Sequence, residues 1–232
     1  MAYPQDYNIH RPPHLYSDGE IYFITCRTVD KRDYFHGYEN FIVSSLNLAK
    51  NKYPSKLFAW AILGNHYHLL LEVVKGRDIA NIIRFINGRS AKLILNEMKR
   101  GSAPGSDTPS GRVTGVRNDT ASPASSSEAG RAGGVIGGIG KTITCPEGVS
   151  LPGRHCVWEQ YFDRCISTEK EFYTYFNYIN LNPIKHGRVK NKKELLEYPF
   201  CSYRNCVDKF GQAAMDDIIA QYPVEAGEMM GD

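Results

Sequence analysis

His66-Tyr67-His68 is the part of the sequence with the clearest capacity for chemistry. In an extended strand successive side chains alternate, so the two imidazoles point to one face about 6–7 Å apart. Tyr67, Leu69 and Leu71 point to the other. Two imidazoles so placed can share a divalent cation if a third ligand arrives from elsewhere. They can equally be buried histidines bonded to backbone. A hydrolase of the histidine-triad type needs a further His at the next alternate position, and that position is Leu70.

A second group lies far along the chain, in Tyr173-Thr174-Tyr175-Phe176-Asn177-Tyr178-Ile179-Asn180-Leu181-Asn182-Pro183. Tyr178 and Asn182 are four residues apart and share one face of a helix. The Asn182 carbonyl is a suitable hard ligand for Mg2+ or Mn2+. A phenol one turn away could stand beside that metal. Asn182 could also be a cap before Pro183, and Tyr178 one core aromatic among 15 tyrosines. Tyr175 is the competing phenol, but it lacks the four-residue relation to Asn182. Glu72 shares the strand face of the two His and could orient a ligand, or simply be solvated at a strand end.

These groups need a scaffold. Ile21–Cys26 reads as a first strand. Asn40–Lys50 has helical periodicity. Leu57–Leu63 is a continuous apolar run, as expected of a central strand buried on both faces. Gly64-Asn65 predicts a two-residue hairpin with positive φ at Gly64. His66–Val74 is then a third strand, and Asp78–Met98 a long helix with Ile79, Ile82, Ile83, Ile86 and Leu93 on one face. Val157–Ile166 reads as a fourth strand. Ser167 or Thr168 caps a last helix ending near Asn182, with Pro183 as its stop. The order β-α-β-β-α-β-α predicts an α+β fold: a ferredoxin-like split βαβ antiparallel sheet with an added C-terminal helix.

Of the 232 residues, 42% are apolar, enough for a core. Lys plus Arg is 28 and Asp plus Glu is 25, a formal +3. The balance is uneven: residues 1–206 hold 27 bases and 19 acids, whereas 207–232 hold one base and six acids. A basic body favours a polyanionic partner. Residues 101–155 contain 12 of the 21 glycines, with many Ser and Pro, and read as a flexible insertion in a domain spanning 1–206. Residues 207–232 read as an acidic tail, with a peripheral helix at 213–221. No apolar run reaches the roughly 18 residues of a membrane span. The N-terminus lacks the pattern of a signal peptide. Six cysteines without a C-x-x-C pair suit reduced thiols in a cytoplasmic protein and argue against a disulfide framework.

Taken in order, Gly64-Asn65-His66-Tyr67-His68-Leu69-Leu70-Leu71-Glu72, Trp158-Glu159-Gln160-Tyr161-Phe162-Asp163-Arg164 and Tyr178-Ile179-Asn180-Leu181-Asn182-Pro183-Ile184-Lys185-His186-Gly187 resemble the REP-associated tyrosine transposases. These belong to the single-tyrosine HUH transposases, where HUH denotes His–hydrophobic–His. Arg11-Pro12-Pro13-His14 and Tyr22-Phe23-Ile24-Thr25 are similar to that family as well. The resemblance covers about 150 residues and leaves out the insertion and the tail.

The resemblance implies a transposase that nicks and rejoins single-stranded DNA at palindromic repeat hairpins through a 5′-phosphotyrosine. Tyr178 matches the nucleophile. His66, His68 and Asn182 match the ligands of Mg2+ or Mn2+. A phenol with a pKa near ~10 needs such help at neutral pH. Basic candidates for DNA contact are Lys185, His186, Arg188, Lys190, Lys192 and Lys193 after the helix, Arg77, Arg84, Lys92 and Lys99 on the long helix, and Arg11 near the start. The protein would act as a monomer or homodimer at the nucleoid of a bacterial cytoplasm. A domesticated or decayed copy that binds repeats without cutting is the alternative. Replication initiators and relaxases place the tyrosine differently relative to the His pair and carry further domains. The long insertion departs from the family pattern.

Overall fold

The computed structural model describes residues 16–100 and 157–224. The elements are β1 (Ile21–Thr28), α1 (Glu39–Lys52), β2 (Ser55–Ile62), β3 (His66–Val73), α2 (Asp78–Arg100), β4 (Trp158–Ile166), α3 (Glu169–Lys185), α4 (Lys192–Glu197), α5 (Tyr203–Phe210) and α6 (Gln212–Gln221). One antiparallel sheet has the order β2-β3-β1-β4. This is the ferredoxin-like arrangement expected from the element order, with β1 and β3 in the middle. The expected insertion at 101–155 and Arg11 lie outside the described residues.

Alternation along the strands feeds two cores. Tyr22, Ile24, Cys26, Tyr67, Leu69 and Leu71 face α1 and α2, where Ile42, Leu46, Ile79, Ile82, Ile83 and Ile86 meet them. Phe23, Ala59, Ala61 and Leu70 face the other way, against Tyr175, Phe176, Tyr178 and Ile179 of α3 and residues of α4–α6. The added helix therefore covers the face that the ferredoxin-like unit leaves bare. Tyr67 Oη and Trp158 Nε1 both donate to Asn87, pinning α2 to the first face.

Four expectations require correction. β2 is an edge strand, not a central one. Its apolar run arises because the segment 200–202 covers that edge: Ile62 N–H donates to Phe200 O, Ser202 N–H to Trp60 O, and Ala61 bridges Cys201. Gly64 is not among the residues with positive φ. A Cβ there would lie 1.6 Å from Asp33 Oδ1 and 2.3 Å from Arg188 Nη2, so close approach of side chains is its reason. Pro183 does not stop α3, which runs one turn further. Gly187, at φ 64°, allows the exit, and Arg188 N–H bonds back to Pro183 O. The helix at 212–221 is not peripheral: Met215 is fully buried in the second core, and Asn177 Nδ2 donates to Ile218 O and Tyr222 O.

Candidate active site

His66 and His68 open β3 on the α3 face, with ring centroids 4.9 Å apart. Both residues are buried. Each Nδ1 has a polar neighbour: Asn65 Oδ1 at 2.6 Å from His66, and Thr25 Oγ1 at 2.8 Å from His68. Asn65 Nδ2 donates to Lys31 O, which turns Asn65 Oδ1 toward His66. Nδ1 of His66 is therefore the donor, which in the neutral ring leaves Nε2 with the lone pair. Thr25 reaches His68 because it is the cross-strand partner of His68 in β1.

Helix α3 brings its residues to this pair. Thr168 Oγ1 accepts from Glu171 N–H, while Glu171 accepts from Ser167 N–H, a reciprocal cap that fixes where the helix begins. Of the two expected caps, Thr168 is the one used. Two turns later the Tyr178 ring lies 5.2 Å from the His68 ring, edge-on. At the helix end the His186 ring lies 4.8 Å from that of His66. Positions 178, 182 and 186 form one stripe. Since its two ends touch the two histidines, Asn182 stands on the same stripe between them.

Asn182 is fully buried, and neither Oδ1 nor Nδ2 has a hydrogen-bond partner among the described residues. The helix caps at His186, so Asn182 is not a cap. A buried, unsatisfied amide is costly and usually marks a missing partner. Two imidazoles held through Nδ1 and one unpartnered amide oxygen suit a divalent cation, with the oxygen favouring a hard one. The residues present fit Mg2+ or Mn2+. Among the described residues, no three of His, Cys, Asp or Glu form such a set by themselves.

The competing phenol has different neighbours. The Tyr175 ring packs 4.4 Å from Phe23 and 5.9 Å from the guanidinium carbon of Arg164 in β4. Arg164 has its pKa raised by its hydrogen bond to Glu171 and then by Tyr175. Tyr178 instead stands beside His68, with Lys185 Nζ 4.9 Å from its ring centroid. Glu72 sits at the far end of β3, opposite Lys56.

The basic candidates divide. Lys185 and His186 belong to the cluster. Arg188 is paired with Asp33 at 3.1 Å, and Lys192 with Asp216 at 2.6 Å. Lys190 and Lys193 are exposed nearby. Arg77, Arg84 and Lys92 are exposed too, but Arg84 and Lys92 belong to α2, in the layer on the opposite side of the sheet. Sequence reasoning missed several residues that hold the site. Asn180 Oδ1 accepts from Ser202 Oγ, whose oxygen in turn accepts from Trp60 N–H, locking α3 to the edge of β2. Thr25 was legible only through strand register, and Asn65 only as the neighbour of His66.

Residues 18–104 match the family model of IS200-like transposases, a stretch that holds β1 to α2 and both histidines. This segment, less than half of the chain, is similar to the IS200-like transposases. A solved structure of a REP-associated tyrosine transposase bound to a REP hairpin matches the chain with a TM-score of 0.50 at 16% identity, over 100% of this chain and 94% of that one. The fold shared with that structure thus includes β4 and also α3, the helix that carries Tyr178 and Asn182. No curated protein sequence gives a significant match. Among the described residues no helix is long and apolar enough to cross a membrane.

Proposed function

We propose that the protein nicks and rejoins single-stranded DNA, with Tyr178 as the nucleophile and His66, His68 and Asn182 as ligands of Mg2+ or Mn2+. The observation that carries this reading is the meeting of Tyr178 with His68, across more than a hundred residues of chain, at 5.2 Å between rings. The REP hairpin held by the structurally similar transposase supports a hairpin-bearing strand as substrate.

Tyr178 Oη attacks the scissile phosphorus. The Oη–P bond forms as the P–O3′ bond breaks. The phenol gives up its proton, and the 3′ oxygen takes one up. The strand end remains as a 5′-phosphotyrosine, and the free 3′-hydroxyl can later reverse the step. Because the phosphodiester is conserved as an ester, rejoining needs no ATP. A divalent ion, when bound, supplies positive charge for the phosphate oxygens. Lys185, close to the Tyr178 ring, offers a second positive charge to the incoming phosphate. His186, packed on His66 at the exposed end of the stripe, borders the path by which DNA arrives. Lys190 and Lys193 extend this basic border, while Arg188 and Lys192 contribute after leaving their carboxylates. Tyr178 and His68 of one chain suffice for the cluster, which supports action by a monomer.

The test is incubation of the protein with end-labelled single-stranded hairpin DNA and Mg2+ or Mn2+, followed by a denaturing gel. The wild type is expected to give a labelled protein band that EDTA and Tyr178→Phe both remove. Hairpin binding with no such band would instead establish a repeat-binding protein that does not cut.

A further inference from the structure

Among the described residues, the face of the sheet that bears the two histidines is only partly roofed. Helix α3 packs over β2 and β3. Strand β4, at the opposite edge, carries Phe162 on this same face. Cross-strand pairing makes the geometry explicit: Ala61 pairs with His68, His68 with Thr25, and Thr25 with Phe162. These four residues form one row across the whole sheet. Two strand spacings put Phe162 about 10 Å from His68 along that row. Thr25, between them, is small and engaged with His68 Nδ1.

His68 and Thr25 are buried, but Phe162 is 40% exposed. It belongs to neither apolar core. Its ring meets Phe23 edge-on at 6.3 Å. Phe23 is itself buried, stacks on His68 at 5.6 Å and touches Tyr178 at 5.9 Å. Phe162 is thus the solvent end of an aromatic series that leads to the cutting centre, held firmly on one side and open on the other.

The rows on either side carry cations. Arg164 pairs with Phe23 in one, and Arg27 with His66 in the other. Both guanidiniums lie in solvent-exposed ion pairs, with Glu171 and Glu159. Such pairs contribute little and yield readily to a phosphate. An exposed ring bracketed by cations on a sheet face suits single-stranded nucleic acid, whose bases stack on aromatic rings while its backbone follows positive charge.

We propose that Phe162 is a stacking platform for one unpaired base of single-stranded DNA, beside the phosphate that Tyr178 attacks. Placement beside that phosphate rests on the strand-transfer reading; the stacking itself does not. Stacking on Phe162 is tolerant of base identity, because every base has a π-face. Phe162 would therefore select single strands over duplex rather than one sequence over another.

The experiment uses the full chain and a fluorescein-labelled single-stranded oligonucleotide containing 2-aminopurine. Phe162→Ala is expected to bind about 5- to 150-fold more weakly than wild type, the range for losing one base–aromatic stack. Phe162→Trp should bind as wild type does. 2-Aminopurine at one position should be quenched on binding to wild type and to Phe162→Trp, but not to Phe162→Ala. An abasic site at that position should weaken wild type and leave Phe162→Ala no worse. The proposal is overturned if Phe162→Ala, folded by circular dichroism, binds within twofold of wild type. It is also overturned if Phe162→Ala changes the oligomeric state in sedimentation while leaving affinity intact, which would assign the ring to a second copy. Loss of stacking without any covalent product from wild type would keep this proposal and sink strand transfer. A covalent product with unchanged Phe162→Ala binding would do the reverse.

Discussion

Replacing Asn182 with leucine separates what this residue does for folding from what it does for function. Its side-chain amide is fully buried and makes no hydrogen bond among the described residues. A buried amide without partners costs about 1–3 kcal/mol. Leucine has the same branching, no polar atoms and a better helix propensity. Without metal, Asn182→Leu should therefore stabilise the protein by about 1–3 kcal/mol, less whatever crowding its extra volume causes. At this chain size each kcal/mol moves Tm by about 2–4 °C, so the melt should rise by roughly 2–12 °C in EDTA. With Mn2+ the order should change. The wild type gains stability as its occupied fraction grows. The variant has lost a ligand and should bind Mn2+ at least about 10-fold more weakly, as even the loss of an outer partner costs that much. Scanning calorimetry with and without Mn2+ reads both effects. If Asn182→Leu melts lower than wild type in EDTA, or keeps the full Mn2+ shift, then Asn182 is a structural residue and the ligand assignment is wrong.

Other outcomes follow from the same geometry. Gly64→Ala places a methyl 1.6 Å from Asp33 Oδ1, so the Asp33–Arg188 pair must part. Both groups are ends of flexible side chains, so stability should change by less than ~1 kcal/mol. The end of α3 would loosen against the turn before His66, and single-turnover adduct formation should slow by up to about 100-fold; an unchanged rate would detach the pair from the site. Asn180→Ala leaves the buried Ser202 hydroxyl without its acceptor and should cost about 1–3 kcal/mol in urea unfolding. Adding Ser202→Ala, which also takes the acceptor from Trp60 N–H, should cost less than Ser202→Ala does alone, and full additivity would refute the linked network. Burial pushes the thiols of Cys26 and Cys201 up to about 12 and that of Cys206 up to about 11, and raises Tyr67 and Tyr198 as well. The unfolded chain ionises its thiols first, near ~8.5. Stability should thus be complete below about pH 8.5 and fall as pH climbs toward the folded values, and a urea midpoint that stayed level from pH 8 to 11 would contradict this.

The strands, the long helices and the His-x-His pair were legible because each follows a local period or spacing. The four-residue relation of Tyr178 and Asn182 was legible for the same reason. What the sequence concealed depends on partners far along the chain. β2 reads as central because it is apolar throughout, yet it is an edge that residues 200–202 cover. Gly64 reads as a turn glycine, yet it makes room for an ion pair between residues 155 positions apart. Pro183 reads as a helix stop, but in the last turn the loss of one N–H donor is tolerated, and Gly187 sets the true exit. Phe162 looks like any strand aromatic until register places it in the row of His68.

The chemistry is tested most directly by locating the DNA on the protein. A trapped adduct can be digested with nuclease and trypsin, leaving a phosphorylated peptide for fragmentation in a mass spectrometer. Cleavage after Lys170 and Lys185 gives one peptide, 171–185, that holds Tyr173, Tyr175 and Tyr178 together. The fragment series should place the phosphate on Tyr178. A phosphate on Tyr175, or on any other residue, would contradict the site described here.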